Sequence, residues 1–233
     1  MAATIGVVVF PGSNCDHDAY YALKHEMGVK TTFIWHKEKT LGEVDAIVVP
    51  GGFSYGDYLR SGAIARFSPV MNEVARFADN GGPVLGICNG FQILLEAGLL
   101  PGTMMHNEHL RFACKIVRLS CINNSTIYSE GLSAGQILNL PIAHGEGNYF
   151  ASQDDLKMLN DENRIVFKYC DENGQPTPEA NPNGSAENIA GICNREGNVL
   201  GMMPHPERAV DASLGSADGK HIFESMLNYL QPA

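Results

Sequence analysis

One stretch of the chain reads Val84-Leu85-Gly86-Ile87-Cys88-Asn89-Gly90-Phe91-Gln92. Its first four residues predict a buried strand, and a helix is predicted from about Asn89 to Ala97, ending at Gly98. A cysteine therefore stands at a sharp strand-to-helix turn with a glycine two residues to either side. A nucleophile elbow needs this arrangement, because side chains at the flanking positions would collide within the turn. The helix also directs its first N–H groups at the sulfur, which favours the thiolate.

The same tetrapeptide occurs a second time, as Gly191-Ile192-Cys193-Asn194. There, Arg195 stands at the position that Gly90 holds in the first copy, and a turn is predicted to follow instead of a helix. The second copy thus lacks both the steric freedom and the helix N-terminus. We interpret Cys193 as a structural strand cysteine. The competing interpretation of Cys88 is a small buried core residue, which is the usual fate of a free thiol.

Further apolar runs place the elbow in an α/β fold. Ile5–Phe10 and Ala46–Val49 are apolar without alternation and each precedes a turn with proline and glycine, as expected of strands buried on both faces of a parallel sheet. Strands that alternate with helices predict an open, mostly parallel, flavodoxin-like sheet flanked by helices, with ligands at the carboxyl ends of its strands. The other predicted helices are Asp16–Met27, a helix with N-cap Ser68 and Pro69 at its first position, and Lys220–Leu230.

The second half of the chain is less regular. Ile116–Cys121 and Ile165–Cys170 are predicted strands. Ile189–Asn194 and Asn198–Met203 flank Arg195-Glu196-Gly197, which predicts a hairpin. No break in composition and no internal repeat divides the chain, so residues 1–233 are predicted to form a single domain.

A base for the cysteine is offered by Met203-Pro204-His205-Pro206-Glu207. The prolines disfavour helix at the residues before them, so the segment is predicted to be extended. In an extended chain residues i and i+2 project to the same side, which lets Glu207 reach and orient the His205 ring. The competing interpretation is a surface turn whose histidine and glutamate are solvated.

An oxyanion site is offered by Val48-Val49-Pro50-Gly51-Gly52-Phe53, at the end of a predicted strand. Glycines at such a position let backbone N–H groups point at a developing negative charge, together with the amide of Asn89. In isolation, the same residues would be read as a plain strand-ending turn.

Composition excludes several function classes. The net charge of -10 argues against a nucleic-acid partner. No stretch approaches the roughly 18 apolar residues of a transmembrane helix, and the N-terminus lacks the basic region of a secretory signal. The six cysteines are scattered without a CxxC pair, which favours reduced thiols. We therefore expect a cytoplasmic protein without a membrane or nucleic-acid partner.

Two short clusters look like metal sites, and we discount both. His106-Asn107-Glu108-His109 matches neither HExxH nor HxxEH and is interpreted as a solvated loop. Cys15-Asp16-His17-Asp18 is interpreted as an acidic helix start. The chain also has no GxxxxGK[ST] loop and no GxGxxG fingerprint, so neither a metal nor another cofactor is predicted in this chain.

Taken together, Pro50-Gly51-Gly52, Gly86–Gln92 and His205-Pro206-Glu207 resemble the class I, triad-type glutamine amidotransferase family. Over nearly its whole length the chain is similar to one branch of that family, the free-standing glutaminase subunits of phosphoribosylformylglycinamidine synthase. The segments that carry this likeness are Phe10–Asp16, Phe53–Gly62, His144–Gly147, Asn181–Ser185 and Pro204–Arg208.

The resemblance implies a mechanism and a set of site residues. Glutamine would be hydrolysed to glutamate through a cysteine thioester. Three residues would form the triad and three more would complete the site: Cys88 as nucleophile, His205 as base and acid, Glu207 as orienting carboxylate, Gly52 and Asn89 as oxyanion donors, and Gln92 as a ligand of the glutamine substrate.

The resemblance also implies partners. The ammonia would pass to a large synthetase subunit, which uses ATP and Mg to convert formylglycinamide ribonucleotide to formylglycinamidine ribonucleotide in purine biosynthesis. A small accessory subunit would complete the complex. The roles of Arg60, His144 and Glu146 stay open.

Three other functions compete with this interpretation. The chain could serve another amidotransferase, of tryptophan, histidine or guanine nucleotide synthesis, although Gly56–Gly62 and Asn181–Ser185 argue against it. A cysteine hydrolase on a similar sheet, either a peptidase or a γ-glutamyl hydrolase, is the second. The third is a non-catalytic interaction subunit, against which the intact Cys88, His205 and Glu207 set speaks.

Overall fold

A computed structural model describes residues 3–231 of the chain. Residues 1, 2, 232 and 233, which belong to the predicted single domain, lie outside the described part. The strands are β1 Thr4–Val9, β2 Lys30–Trp35, β3 Ala46–Val49, β4 Val84–Ile87, β5 Thr103–Met105, β6 Ala113–Cys121, β7 Ile137–His144, β8 Asn148–Phe150, β9 Ile165–Tyr169, β10 Ile189–Cys193 and β11 Val199–Met202. The α-helices are α1 Asp16–Tyr21, α2 Pro69–Asp79, α3 Asn89–Glu96, α4 Gln153–Asp161 and α5 Lys220–Leu230.

Nine of these strands form one sheet in the order β2-β1-β3-β4-β11-β10-β9-β6-β7. From β2 to β11 all neighbouring strands are parallel, whereas β10 and β6 run against the rest of the sheet. The predicted open, mostly parallel sheet flanked by helices is therefore confirmed. Strands β5 and β8 form a separate antiparallel pair.

The elbow strand β4 lies between β3 and β11. Val49 of β3 is paired with Gly86, and Met202 of β11 is paired with Ile87. Because the three strands are parallel, their carboxyl ends meet at one edge of the sheet. The residues that follow them in sequence, including Cys88 and His205, are therefore brought together there.

The strands that carry this edge are deeply buried. Every residue of β3 and β4 is buried. This agrees with their unbroken apolar runs, which predict strands that are covered on both faces. Burying a Val, Leu or Ile side chain contributes roughly 1.5–3 kcal/mol, so the core holds this part of the sheet firmly. The site is consequently built on a rigid support.

Two helix predictions need correction. The helix predicted over Asp16–Met27 is α-helical only to Tyr21 and continues as a π-helix over Ala22–Glu26. Ser68 does precede α2, but its side chain makes no capping hydrogen bond. The Ser68 hydroxyl instead lies 3.0 Å from the Tyr55 hydroxyl, because the loop before α2 packs against that ring.

The predicted hairpin in the second half is confirmed. Strands β10 and β11 pair antiparallel, with Gly191 opposite Met202, and Gly197 in the connecting turn has a φ of 75°. This hairpin places Cys193 in β10, which β11 separates from the elbow strand β4. Among residues 3–231, no helix combines the length and the apolar character that crossing a membrane requires.

Candidate active site

Cys88 occupies the turn between β4 and α3 with φ 50° and ψ −106°. A positive φ strains a residue that has a side chain and costs roughly 1–3 kcal/mol. Two backbone hydrogen bonds hold the turn. The Cys88 N–H donates to the Met202 carbonyl at 2.8 Å, and the Cys88 carbonyl accepts from the Gln92 N–H at 3.2 Å. The strand, strained turn and helix predicted at this cysteine are thus present.

The two glycines beside Cys88 are required by close contacts. A Cβ atom on Gly90 would lie 1.9 Å from the Val49 carbonyl oxygen, and one on Gly86 would lie 2.4 Å from Leu94 Cδ1. Atoms cannot approach this closely, and the Val49 oxygen belongs to a buried strand that cannot move aside. The tight turn therefore exists because both positions lack side chains.

Cys193 has a different environment, as predicted. It ends strand β10, and its N–H donates to the Arg164 carbonyl at 2.9 Å in the manner of ordinary extended chain. Burial raises the pKa of the Cys193 thiol to about 11, so this sulfur carries a proton at neutral pH. The predicted strand position of Cys193 is confirmed, and its structural role stays a prediction.

His205 and Glu207 form a buried pair directly after β11. The distance from His205 Nδ1 to Glu207 Oε1 is 2.6 Å, and both side chains are almost completely buried. The predicted extended conformation holds for His205 but not for the residues after it, because Pro206–Arg208 form a 3-10 turn. Proline suits the first position of such a turn, and it is this turn that brings the carboxylate to the ring. The alternative of a solvated surface turn is wrong.

The charges around His205 favour its protonated form. Burial alone would lower the pKa of His205, but the Glu207 carboxylate and the nearby Cys88 and Cys15 sulfurs raise it well above its usual value. His205 Nε2 is buried and has no hydrogen-bond partner among the described residues. With Nδ1 held by Glu207, this second nitrogen is free to exchange a proton with a reacting group.

Cys15 is a neighbour of this pair that the sequence interpretation missed. Cys15, His205 and Glu207 each offer one atom that could bind a metal, and these three atoms lie within 4.8 Å of one another. Arg208 Nη2 also donates to Cys15 Sγ at 3.1 Å. A thiol, an imidazole and a carboxylate could together hold a zinc ion. We assign no metal to them, because the carboxylate is already hydrogen-bonded to the histidine. The similarity of Phe10–Asp16 to the family was the available signal for this placement.

The two proposed oxyanion donors sit at the ends of adjacent strands. Gly52 has a φ of 116°, and a Cβ atom there would lie 2.5 Å from the Asn14 nitrogen, so only glycine fits. Among the hydrogen bonds of residues 3–231, neither the Gly52 N–H nor the Asn89 N–H has a partner. Two unused backbone donors beside the thiol are what an oxyanion hole requires. The assignment itself stays a prediction.

The Gln92 side chain is buried one turn into α3 and lines the cavity beside Cys88. Its Nε2 donates to the Glu146 carbonyl at 2.5 Å, and its Oε1 accepts from Asn89 Nδ2 at 2.9 Å. Both ends of the amide are therefore occupied in holding the loop at Glu146 against α3. Contact with substrate remains a prediction for this residue.

Asn107 organises the loop on the far side of the cavity. It is completely buried, so the interpretation of the His106–His109 segment as a solvated loop is wrong at this residue. Its Nδ2 donates to the His144 carbonyl at 2.9 Å, and its Oδ1 accepts from the Gly147 N–H at 2.9 Å. Burial and the nearby His205 lower the pKa of His144 to about 4, so this ring is neutral. The network holds 144–147 in place.

These elements enclose a cavity of about 470 Å³ at the carboxyl edge of the sheet. Cys88 and His205 lie in its wall, with Gly52 and Gln92, whereas Glu207 supports His205 from behind. A larger groove of about 770 Å³ runs along β2, but it contains none of the predicted site residues. The structure thus brings the three residues of the predicted triad together, with an enclosed space in front of the thiol.

Comparison with known proteins agrees with this geometry. The family described as CobB/CobQ-like glutamine amidotransferase domain matches residues 2–229. The chain belongs to the class I glutamine amidotransferase family, and it is an enzyme of that class. A glutamine amidotransferase from Thermotoga maritima has the same fold, with a TM-score of 0.56 at 14% identity over 99% of this chain and 95% of that one.

The nearer relatives define the branch. The chain is 56% identical to the phosphoribosylformylglycinamidine synthase subunit PurQ of Salinibacter ruber, over 99% of this chain and 98% of that protein. It is 55% identical to subunit PurQ of Moorella thermoacetica, over 96% and 95%. The solved structure of PurLQS from Thermotoga maritima contains a chain with a TM-score of 0.87 and 43% identity, over 99% of this chain and 100% of that one. Within the amidotransferases, the chain belongs to the PurQ family.

Proposed function

We propose that this chain is the glutaminase subunit of a phosphoribosylformylglycinamidine synthase, with Cys88, His205 and Glu207 as its triad. The observation that carries the proposal is the buried His205–Glu207 pair, 2.6 Å apart, beside a cysteine held at a positive φ. A structural cysteine has no need of either feature. Membership of the PurQ family favours this function over the other amidotransferases and over the peptidase and γ-glutamyl hydrolase alternatives.

In the first half of the reaction Cys88 Sγ attacks the carboxamide carbon of glutamine. The carbonyl oxygen becomes an oxyanion, which the N–H groups of Gly52 and Asn89 stabilise. One such donor typically contributes about 2.7–4 kcal/mol to transition-state stabilisation. His205, whose pKa is raised by Glu207 and the neighbouring sulfur, gives a proton to the departing nitrogen, so that ammonia leaves and a glutamyl thioester remains.

In the second half water replaces ammonia. His205, now neutral, takes a proton from the water as it attacks the thioester carbon, and the C–S bond breaks to give glutamate. At the end of the reaction His205 is protonated again and Cys88 is again a thiolate, as at the start. Glu207 holds the ring in one orientation through both halves, because its carboxylate accepts the Nδ1 hydrogen bond throughout.

The mouth of the cavity has the features of a docking surface for a partner. Tyr58 and Leu59 are 75% and 92% exposed, and Phe53 and Phe112 are also exposed. In the same loop Tyr55, Asp57 and Leu59 all have positive φ values although none is glycine. Exposed apolar side chains on a strained backbone are typical of a surface that a partner covers. Because this loop follows Gly52 directly, docking of a partner would also fix the position of the Gly52 N–H, the proposed oxyanion donor.

The partner is a large synthetase subunit that uses ATP and Mg, accompanied by a small accessory subunit. Support comes from the Thermotoga maritima PurLQS structure, which contains the similar chain. The synthetase would use the ammonia to convert formylglycinamide ribonucleotide to formylglycinamidine ribonucleotide, and this chain would need no cofactor of its own. We further propose that the chain acts in the cytoplasm and forms one domain, which the continuous sheet across residues 3–231 supports.

Nitrogen-source dependence of the reconstituted complex tests the proposal. Product formation is measured with glutamine and, separately, with an ammonium salt, for the wild type and for Cys88→Ala. We expect Cys88→Ala to lose glutamine-dependent synthesis and to keep ammonium-dependent synthesis, because the acceptor chemistry lies in the partner. Cys193→Ala is the matched control and should keep both.

Two outcomes would contradict the proposal. Retention of glutamine-dependent synthesis in Cys88→Ala would remove the nucleophile. Loss of both activities in a complex that still assembles would show that this chain does more than deliver ammonia.

A further inference from the structure

The side chain of Asn89, the residue after the nucleophile, has no part in the mechanism above. It is almost completely buried. Its Oδ1 accepts from the Ser54 N–H at 3.1 Å, and its Nδ2 donates to Asp57 Oδ1 at 3.2 Å and to Gln92 Oε1 at 2.9 Å. A primary amide has two N–H donors and one carbonyl acceptor, and here each of them has a protein partner. The amide is therefore fixed in one orientation by the protein itself.

Two of these contacts hold the loop that contains Gly52, the other proposed oxyanion donor. The described hydrogen bonds between Gly51–Asp57 and α3 are all made by the Asn89 side chain. The two donors follow different strands, Gly52 after β3 and Asn89 after β4, so their separation depends on how this loop lies against α3. The Asn89 amide thus connects the two halves of the proposed oxyanion hole.

The backbone of this loop depends on such contacts. Tyr55 and Asp57 have φ values of 55° and 53°, although neither is glycine. Residues persist in this conformation only where the surrounding structure fixes them. The Ser54 hydroxyl is buried without a partner among the described residues, so it adds no anchor. The bond from the Tyr55 N–H to the Pro11 carbonyl, 2.6 Å long, joins the loop to the segment after β1 rather than to the elbow.

We propose that Asn89 acts, through its side chain, as a positioning residue that holds the Gly52 N–H and its own N–H at the separation needed to bind one oxyanion. This inference rests on the proposed glutaminase function. A misplacement of about 1 Å can cost on the order of a hundredfold in rate. Because the oxyanion forms only after Cys88 attacks, loss of the amide lowers kcat and leaves the KM for glutamine nearly unchanged.

The test measures glutamine-dependent synthesis by the reconstituted complex with Asn89→Ala and Asn89→Leu. Both substitutions keep the backbone N–H and remove the amide, and leucine has nearly the shape of asparagine, so it fills the space that alanine leaves. We expect kcat to fall roughly a hundredfold in each variant, with the KM for glutamine and ammonium-dependent synthesis unchanged.

The second Gly-Ile-Cys-Asn copy supplies a matched control. The Asn194 side chain also makes three hydrogen bonds, in which Nδ2 donates to Glu196 and Asn198 and Oδ1 accepts from the Val199 N–H. These bonds hold the turn between β10 and β11 and do not involve the proposed oxyanion donors. Asn194→Ala should therefore lower the urea midpoint of unfolding without a change in kcat.

Alkylation of Cys88 by iodoacetamide separates misplaced oxyanion donors from a damaged elbow. The thiolate displaces iodide, so a C–S bond forms and a C–I bond breaks without an oxyanion. We expect wild-type alkylation rates in both Asn89 variants, followed on the Cys88 peptide by mass spectrometry.

Several results would overturn the proposal. Wild-type kcat in Asn89→Leu would show that the amide is not needed, and a raised KM with unchanged kcat would make Asn89 a substrate-binding residue instead. Alkylation slowed as much as kcat, or failure of both variants to fold or to support ammonium-dependent synthesis, would assign the side chain a purely structural role. A wild-type complex that makes product from ammonium but not from glutamine would instead contradict the glutaminase function itself.

Discussion

The chain contains the tetrapeptide Gly-Ile-Cys-Asn twice, and the two copies adopt different backbone conformations. Both copies come from buried strands of the same sheet, and both cysteines are almost completely buried. Cys88 adopts a strained φ of 50° and starts a helix, whereas Cys193 completes a strand. The residue type and its immediate neighbours therefore do not decide which backbone conformation a cysteine adopts.

The difference between the copies begins at the fifth residue. Gly90 lets the chain fold back against the Val49 carbonyl, in a space where even a Cβ atom would lie 1.9 Å away. Arg195 at the matching position excludes that path, and the chain turns into a hairpin in which the Asn194 side chain accepts from the Val199 N–H at 2.9 Å. One side chain thus separates a strained strand-to-helix turn from the end of an ordinary strand.

Removal of each sulfur gives the largest contrast between the two copies. Cys88→Ala should lower glutamine hydrolysis by at least about ten-thousandfold, because no other group in the proposed mechanism can form the thioester. Cys193→Ala should keep wild-type turnover and lose about 1 kcal/mol of stability through lost packing. Steady-state ammonia release in the assembled complex, with thermal unfolding of each variant, measures both effects. A large loss of turnover in Cys193→Ala would break the comparison.

The fifth residue is tested by giving both copies the same side chain. Gly90→Ala should destabilise the fold by about 3 kcal/mol or prevent folding, because the Val49 oxygen cannot move away. Arg195→Ala, at an exposed position, should change the free energy of unfolding by less than about 0.5 kcal/mol. Denaturant unfolding of the two variants is the measurement. If Gly90→Ala folded with wild-type stability, the steric account of the elbow would be wrong.

Backbone strain predicts a smaller effect that reverses sign between the copies. At Cys88 a glycine relieves the positive φ, so Cys88→Gly should be more stable than Cys88→Ala by about 1–2 kcal/mol. At Cys193 the backbone is an ordinary strand, so Cys193→Gly should be less stable than Cys193→Ala by about 0.5–1 kcal/mol. The four free energies of unfolding, measured in urea, give the comparison directly. The same sign at both positions would mean that Cys88 is not strained.

The parts of the fold near the elbow could be predicted from the sequence because their signals are local. Strands β3 and β4 are unbroken apolar runs, and their predicted bounds agree with the structure. Helix α5 has an amphipathic pattern and was also predicted with its bounds. The pairing of His205 with Glu207 was predictable from a spacing of two residues, although the turn that achieves it was not.

Other elements escaped prediction because tertiary contacts form them. Strand β2 is mostly exposed, and its first half consists of Lys and Thr, so its apolar run is limited to the last three residues. Strand β7 contains Pro141, which usually argues against a strand and is tolerated here because β7 is the last strand of the sheet. Helix α4 buries only Leu156 and Leu159, too few to give a clear helical period.

Some side chains around the site also escaped prediction, because tertiary contacts bring them together. Cys15 lies far from His205 in sequence, and only the sheet order places β1, and the loop after it, near the elbow. Asp57 and Glu146 likewise come from separate loops that meet across the cavity. Residues that meet through the fold leave no spacing in the sequence from which their contact could be predicted.

Labelling with a glutamine analogue that carries an electrophilic ketone in place of the carboxamide tests the central claim most directly. The complex is treated at neutral pH, digested, and every cysteine-containing peptide is examined by mass spectrometry. We predict one adduct per chain, on Cys88, with Cys193 and Cys15 unmodified. Excess glutamine should slow the labelling. An adduct on Cys193 or Cys15 in the folded complex, with Cys88 unmodified, would contradict the claim that the strained turn makes Cys88 the nucleophile.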